Sequence, residues 1–336
     1  MKNMMILLTY RRGQSGFTLV ELMVSLVLGL LVVMAVASLM LSNRRVYGAN
    51  ESVNRIQENQ RAAFELLSRD IREAGANPCG RIDASSVAVM SSTANTVFWG
   101  QFVDGIHGVD GATTGRDTIS LFMDNGSAYR VAGHQNPTDP ITLSSLSAAD
   151  QAAIQNNDVL VCDSDVAAVI RATGVSGNDV QHAATGNTSG QIVIGGAGYC
   201  FWGRWDTSPA AGACPQYGKS PAFVVLPIEA DWKVDTNASG GTSLYRTVGT
   251  SQNEIAEGIT GLSITYKIGT TNTYVNAANV QAGNAWGQVT AVHLVMTFQA
   301  TQGAMTAGDV KGTDNVILTR TLEDYIVIRN HQTDIQ

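Results

Sequence analysis

The sequence predicts an α+β chain: one long amino-terminal helix, transmembrane in its first half, packed on an antiparallel β-sheet head with long loops. Three observations predict it. Residues 17–41 are an apolar run, FTLVELMVSLVLGLLVVMAVASLML. Residues 42–74 continue it without proline but with apolar side chains at helical spacing. After Pro78 the text breaks into short alternating stretches separated by Gly, Asn, Asp and Thr. The division that follows is 1–16 as leader, 17–41 as transmembrane and assembly helix, 42–76 as its amphipathic continuation, and 77–336 as a β-rich head outside the cytoplasm.

Composition narrows the function. Of 336 residues only 15% are charged, against about 25% in an average soluble domain. With 34 Gly and only 7 Pro, the chain fits a turn-rich β head better than a helical cytosolic enzyme. The formal net charge of −7 argues against a binder of nucleic-acid backbone, which needs a dense cation patch. A hydrophobic content of 44% excludes a disordered chain.

The leader MKNMMILLTYRRGQSG carries Lys2, Arg11 and Arg12 and no acid. The following run holds one charge, Glu21, and no proline. As a helix it would extend about 37 Å, enough for a hydrocarbon core of roughly 30 Å. A cleaved secretory signal would have a shorter apolar region, of about 7–15 residues, and the length and uniform apolarity together argue against a buried helix of a soluble domain. A plain signal anchor remains, but it must explain Glu21, because an acid within an apolar span costs about 2.5–3.5 kcal/mol. A cut after Gly16 would give Phe17 a new α-amino group one helical turn from Glu21. That amine on one subunit could neutralise the acid of a neighbour. Arg44–Arg45, after the run, reads as an interfacial anchor.

Residues 13–24, GQSGFTLVELMV, resemble the class III signal of type IV pilins and type II secretion pseudopilins: basic leader, Gly, aromatic, then Glu at the fifth mature position. The resemblance implies cleavage by a prepilin peptidase between Gly16 and Phe17, N-methylation of Phe17, and pairing of Glu21 with a neighbour's terminus during assembly. The leader holds three cations, so the mature chain would carry a formal −10. It is long for the family, which leaves Met4 and Met5 open as starts.

From Ser42 the pattern turns amphipathic, with Val46, Ala49, Val53, Ile56, Ala63, Phe64, Leu67 and Ile71 on one stripe. Arg55, Glu58, Arg61, Glu65, Arg69 and Arg72 occupy the other positions. Gly75 and Asn77–Pro78 stop a helix expected from about Phe17 to Ala74, with Gly29 and Gly48 as soft points.

In the head, strands are expected at Val97–Phe102, Thr118–Met123, Val159–Cys162, Val166–Ala172 and Gln191–Ile194. Gly261–Ile268 and Val289–Phe298 alternate with period two, and Val316–Thr321 and Tyr325–Ile328 complete an antiparallel set. No βαβ alternation is present, which argues against a parallel nucleotide-binding sheet. Segments 103–116, 171–190 and 205–220 read as long loops. Four cysteines allow three connectivities in an oxidising compartment. The favoured set is Cys79–Cys162, tying the helix exit to a strand, and Cys200–Cys214, closing a short loop.

Catalytic, metal and cofactor chemistry find little support. His107, His134, His182, His293 and His331 are scattered, with His293 expected at an exposed or edge position of its strand, and no C-x-x-C pair offers zinc ligands. Gly195–Gly198 is not followed by a helix pattern, so it is no phosphate cradle. Asp158, Asp163 and Asp165, or Asp104 with Asp110, lack the spacing of a calcium loop. Trp202 and Trp205 read as packing under the cysteine-closed loop rather than as a sugar patch. No enzyme is expected.

Ser243–Arg246, Glu257–Ile259 leading to Leu262 and Tyr266, Trp286 with Val289–Phe298, and Ile328–Asn330 are similar to PilW-type minor pilins. The resemblance implies a low-abundance subunit that helps start type IV pilus assembly, supporting twitching, adhesion and DNA uptake indirectly. Its partners would be other minor pilins, the major pilin and prepilin peptidase. It would sit in the inner membrane with a periplasmic head before joining the pilus, and Glu21 places it below the tip. A J-type pseudopilin of type II secretion and a pilus-associated adhesin are the alternatives.

Overall fold

The computed structural model describes residues 16, 18–80, 82, 84–111, 113–201, 216–217, 220–300 and 317–331. They form one long helix, α1 (Leu19–Glu73), followed by a head built on three sheets. In chain order the head comprises β1 (Val87–Val89), α2 (Thr96–Asp104), β2 (Ile106–Val109), β3 (Thr118–Gly133), β4 (Ile141–Leu143), α3 (Ala148–Ile154), β5 (Asp158–Cys162), β6 (Ala167–Arg171), β7 (Gly174–Ser176), β8 (Asp179–Gln181), β9 (Val193–Ile194), β10 (Ala197–Cys200) and β11 (Gln216–Tyr217). There follow β12 (Phe223–Thr236), β13 (Thr242–Val248), β14 (Ser251–Glu257), β15 (Ile259–Ile268), β16 (Tyr274–Val275), α4 (Ala277–Ala282), β17 (Val289–Gln299) and β18 (Thr319–Val327).

The largest sheet runs β1-β6-β5-β12-β3-β4-β8-β7, with β2 added to β3 and the β13–β14 hairpin added to β12. Only β1–β6 in this sheet is parallel. β12 is long enough to serve two neighbours on one side, β5 at its start and β13 at its end. Pro227, which has no N–H to give the ladder, marks the register shift in its pairing with β3. A second sheet, β16-β15-β17-β18, is antiparallel throughout. Leu262, Ile264 and Tyr266 of β15 and Val292, Leu294, Met296 and Phe298 of β17 are its buried face, as the period of two requires. A third, small sheet is β11-β10-β9.

The second half of α1 completes the core over β14, β17 and β18. Ile56, Ala63, Leu67, Ile71 and Ala74 are buried along one stripe, and each large apolar side chain so covered is worth about 1.5–3 kcal/mol. Arg55, Glu58, Arg61, Glu65 and Arg69 face outward, with Glu51–Arg55 and Arg69–Glu73 paired one turn apart. Val46, expected on the buried stripe, is exposed; Gly48 and Ser52 hold that level instead. The stripe enters the head through small residues, four apart, that permit close approach.

A buried acid locks the helix to the head. Asp70 accepts from Trp232 Nε1 at 2.9 Å and from Arg246 Nε at 2.6 Å. Trp232 and Arg246 are directly opposite each other on β12 and β13, so one carboxylate fixes the helix against both strands. The helix exit is clasped as well. Gly75 turns at φ +72°, its N–H donates to Phe122 O at 2.7 Å, and Asn330 Nδ2 donates to Ala74 O at 3.1 Å. A Cβ on Gly105 would lie 2.9 Å from the Gly75 Cα, so the two backbones cross where a side chain would not fit. A disulfide joins Cys79, just past this exit, to Cys162 at the end of β5, with Cα atoms 5.9 Å apart. Cys214 of the other expected pair lies outside the described residues.

Several sequence expectations are corrected. Val97–Phe102 is no strand but most of α2, because Asn95 Oδ1 caps the Val97 and Phe98 N–H groups and Gly105 ends the helix in the left-handed region. Trp99 and Phe102, three apart, are its buried face. The segments read as Val316–Thr321 and Tyr325–Ile328 overlap the two ends of one strand, β18 (Thr319–Val327), with Val316 outside the described residues. Segment 103–116 carries β2, and 171–190 carries the β7–β8 hairpin. Of 205–220, only 216–217 and 220 are described. His293 is half-buried on an inner strand, between β15 and β18, rather than exposed or at an edge, stacked on Tyr325 and bonded to Glu323.

His134 and His182 are buried together, ring centroids 5.7 Å apart and edge to face. Phe201 N–H donates to His134 Nδ1 at 3.1 Å, which leaves the ring proton on Nε2, and His182 Nε2–H donates to Asp139 O at 2.7 Å. Burial, and then the neighbouring His182, holds His134 down to about 3 from its usual 6.5.

Two outcomes are expected. Asp70→Ala leaves a guanidinium and an indole N–H unpaired and costs about 3 kcal/mol of unfolding free energy, read from denaturant midpoints of the full chain in micelles; a loss below about 0.5 kcal/mol would remove the lock. For His134 the unfolded ring takes its proton near pH 6.5 and the folded one near 3. Stability is therefore full above 6.5 and falls as pH drops through that window, by up to about 1.4 kcal/mol per unit. At pH 4.5 the wild type should have lost about 3 kcal/mol more than His134→Gln, measured against each protein at pH 7.

Candidate functional site

The site is the first half of α1. Thr18 begins the helix: its Oγ1 accepts from Glu21 N–H at 3.2 Å. The spacing Thr18-Leu19-Val20-Glu21 is that of a capping box, of which the structure shows the Thr18 half: the hydroxyl accepts the Glu21 N–H, and the Glu21 carboxylate does not return the bond. From Leu19 to Leu41 every side chain is exposed; Leu19, at 75%, has almost no cover from the chain. The helix as a whole has 55 residues, about 82 Å, and its apolar half is long and apolar enough to cross a membrane.

Within that half the polar groups divide sharply. Ser25 Oγ donates to Leu22 O at 2.9 Å and Ser38 Oγ to Ala35 O at 2.8 Å, so both hydroxyls are satisfied by their own helix. The Glu21 carboxylate has no ion-pair or hydrogen-bond partner among the described residues. The helix dipole favours an acid in the first turn, but by about 0.3–1 kcal/mol. That is less than the 2.5–3.5 kcal/mol scale of an acid carried into hydrocarbon. In an apolar medium Glu21 still needs a cation. Gly16 is exposed, and Phe17 lies outside the described residues.

The other side chains singled out in the sequence are occupied elsewhere. Asp158 accepts from Ser91 and pairs with Arg171; Asp163 accepts from the Tyr199 hydroxyl at 2.7 Å; Asp110 caps α4 through the Ala277 and Ala278 N–H groups. Among the described residues no three His, Cys, Asp or Glu side chains come together as metal ligands. Gly195 and Gly196, both at positive φ, make the tight turn between β9 and β10. Trp202 and Trp205 lie outside the described residues.

Comparison with known proteins bears on the amino terminus. No curated protein matches the chain. Among solved structures, a type IV-like pilin from Thermus thermophilus aligns with 83% of this chain and 98% of that one at 8% identity, with a TM-score of 0.28, a likeness too weak to say more of the head. Residues 11–37 match the family model described as the prokaryotic N-terminal methylation motif. The segment read as a class III signal is therefore a prokaryotic N-terminal methylation motif, set at the start of a helix long and apolar enough to cross a membrane.

Proposed function

We propose that the chain is a membrane-inserted prepilin that matures into a minor pilin and takes part in starting type IV pilus assembly. Prepilin peptidase cuts between Gly16 and Phe17 and methylates the new Phe17 terminus. The apolar half of α1 then leaves the inner membrane with those of other minor pilins and the major pilin. The methylated amine of one subunit offsets Glu21 of another, and the head stays on the periplasmic side until assembly. The observation that carries the reading is the contrast along one helix: residues 19–41 are exposed on every side, with no cover among the described residues, while Ile56, Ala63, Leu67, Ile71 and Ala74 form a stripe buried against the head. Packing rather than reaction is the mechanism, since dispersion and small-residue contacts between helices replace contacts with lipid. Twitching, adhesion and DNA uptake would depend on it indirectly.

Mass spectrometry of the mature amino-terminal peptide should find a start at Phe17 carrying one extra methyl group. Glu21→Gln should reduce incorporation into surface fibres at least tenfold while leaving the unfolding midpoint of the head unchanged, because Glu21 touches nothing in the head. Normal incorporation of Glu21→Gln would overturn the pairing. Deletion of the gene that stops secretion of folded proteins but leaves fibres normal would replace the reading with that of a secretion pseudopilin.

A further inference from the structure

A cavity of about 300 Å³ opens beside the helix exit, between α2, the end of β5 and the turn before β17. Its walls include Ile82, Phe102, Val103 and Leu160, and its polar groups include Asp104 and Gln288. Asp104 is half-buried, and its carboxylate accepts the Gly287 N–H. A Cβ on Gly287 would come within 2.9 Å of Asp104 Oδ1, so the carboxylate lies against bare backbone. Burial raises its pKa, opposed by the nearby His107. Among the described residues no lysine or arginine pairs with it.

We infer that this cavity receives a lysine or arginine side chain from a partner polypeptide, its methylene stem along the apolar walls and its cation on Asp104. A long basic side chain is the group that combines an apolar stem with a charged end, and a partly desolvated carboxylate gains more from a cation than an exposed one does. An anion would be repelled. A calcium ion, which takes six to eight oxygens and usually several carboxylates, would find one carboxylate here among the amides of Asn77, Asn284, Gln288 and Asn330. The inference does not depend on the fibre reading.

The test is titration of the full chain in micelles with Nα-acetyl-arginine methylamide and its neutral citrulline counterpart, followed by saturation-transfer NMR. Arginine should bind at least fivefold more tightly than citrulline. Asp104→Asn should abolish that ratio, and Gly287→Ala, which displaces the carboxylate, should weaken arginine binding. The wild-type ratio alone decides the matter should a variant fail to fold. Equal binding of the two probes would overturn the inference. So would displacement of arginine by equimolar calcium, or spermidine binding more tightly than a short arginine-bearing peptide, since a metal or a free amine would then be the occupant.

Discussion

One helix in this chain must satisfy two surroundings. Its second half has a sheet to lie on; its first half is covered by nothing among the described residues. An apolar surface of that length exposed to water would be strongly unfavourable at about 25 cal/mol per Å². The fold is complete only when something else, lipid or other helices, covers it. Everything in the head that touches α1 serves to hold the covered half still while the other half projects.

That holding is not done by apolar packing alone. The stripe from Ile56 to Ala74 would permit the helix to slide or rotate by small amounts, since hydrophobic contact is non-directional. Asp70 removes that freedom, because its bonds to Trp232 and Arg246 are satisfied at one position and one rotation only. Asn59, whose Nδ2 donates to Glu257 O at 2.8 Å, adds a second fixed point further up the helix. At the exit, the Gly75–Gly105 crossing, the Asn330 bond and the Cys79–Cys162 bridge fix the direction in which the chain leaves. The head and the buried half of α1 are thus joined at several fixed points, from Asn59 through Asp70 to the Cys79–Cys162 bridge.

What the sequence made legible follows from periodicity. Leu262, Ile264 and Tyr266 could be assigned to one face because a half-buried strand has a period of two, and the run 17–41 because a helix in hydrocarbon is apolar all round. Val97–Phe102, rich in aromatic and β-branched residues, has strand composition; its helix is decided by the Asn95 cap, the Gly105 turn and packing of Phe98 on the distant Phe122. Cysteine pairing was open to three connectivities because the proximity of Cys79 to Cys162 is a product of where β5 ends. Asp70 left a signal that periodicity discards: an acid beside Leu67 and Ile71 on the buried stripe asks for partners. Arg246, noted only within a short pattern, is one of them.

Asp70 and Glu21, two of the acids of α1, are then instances of one rule. A carboxylate taken out of water is tolerated when a cation or several donors meet it. Asp70 is met within the chain, by a guanidinium and an indole, and the result is a fixed joint. Glu21, on the same helix, meets no such group among the described residues, although the surface around it is more apolar than that around Asp70. The serines of its segment have turned inward to their own backbone, so they cannot help. Where the rule is satisfied internally the acid stabilises a fold; where it is left unsatisfied, on a surface that must itself be covered, it selects what covers it. A neighbour bringing only apolar surface would bury Glu21 unpaired, whereas one that also brings a positive terminus would not. The same physical cost that makes Asp70 a lock would, on the proposed reading, make Glu21 a criterion for association.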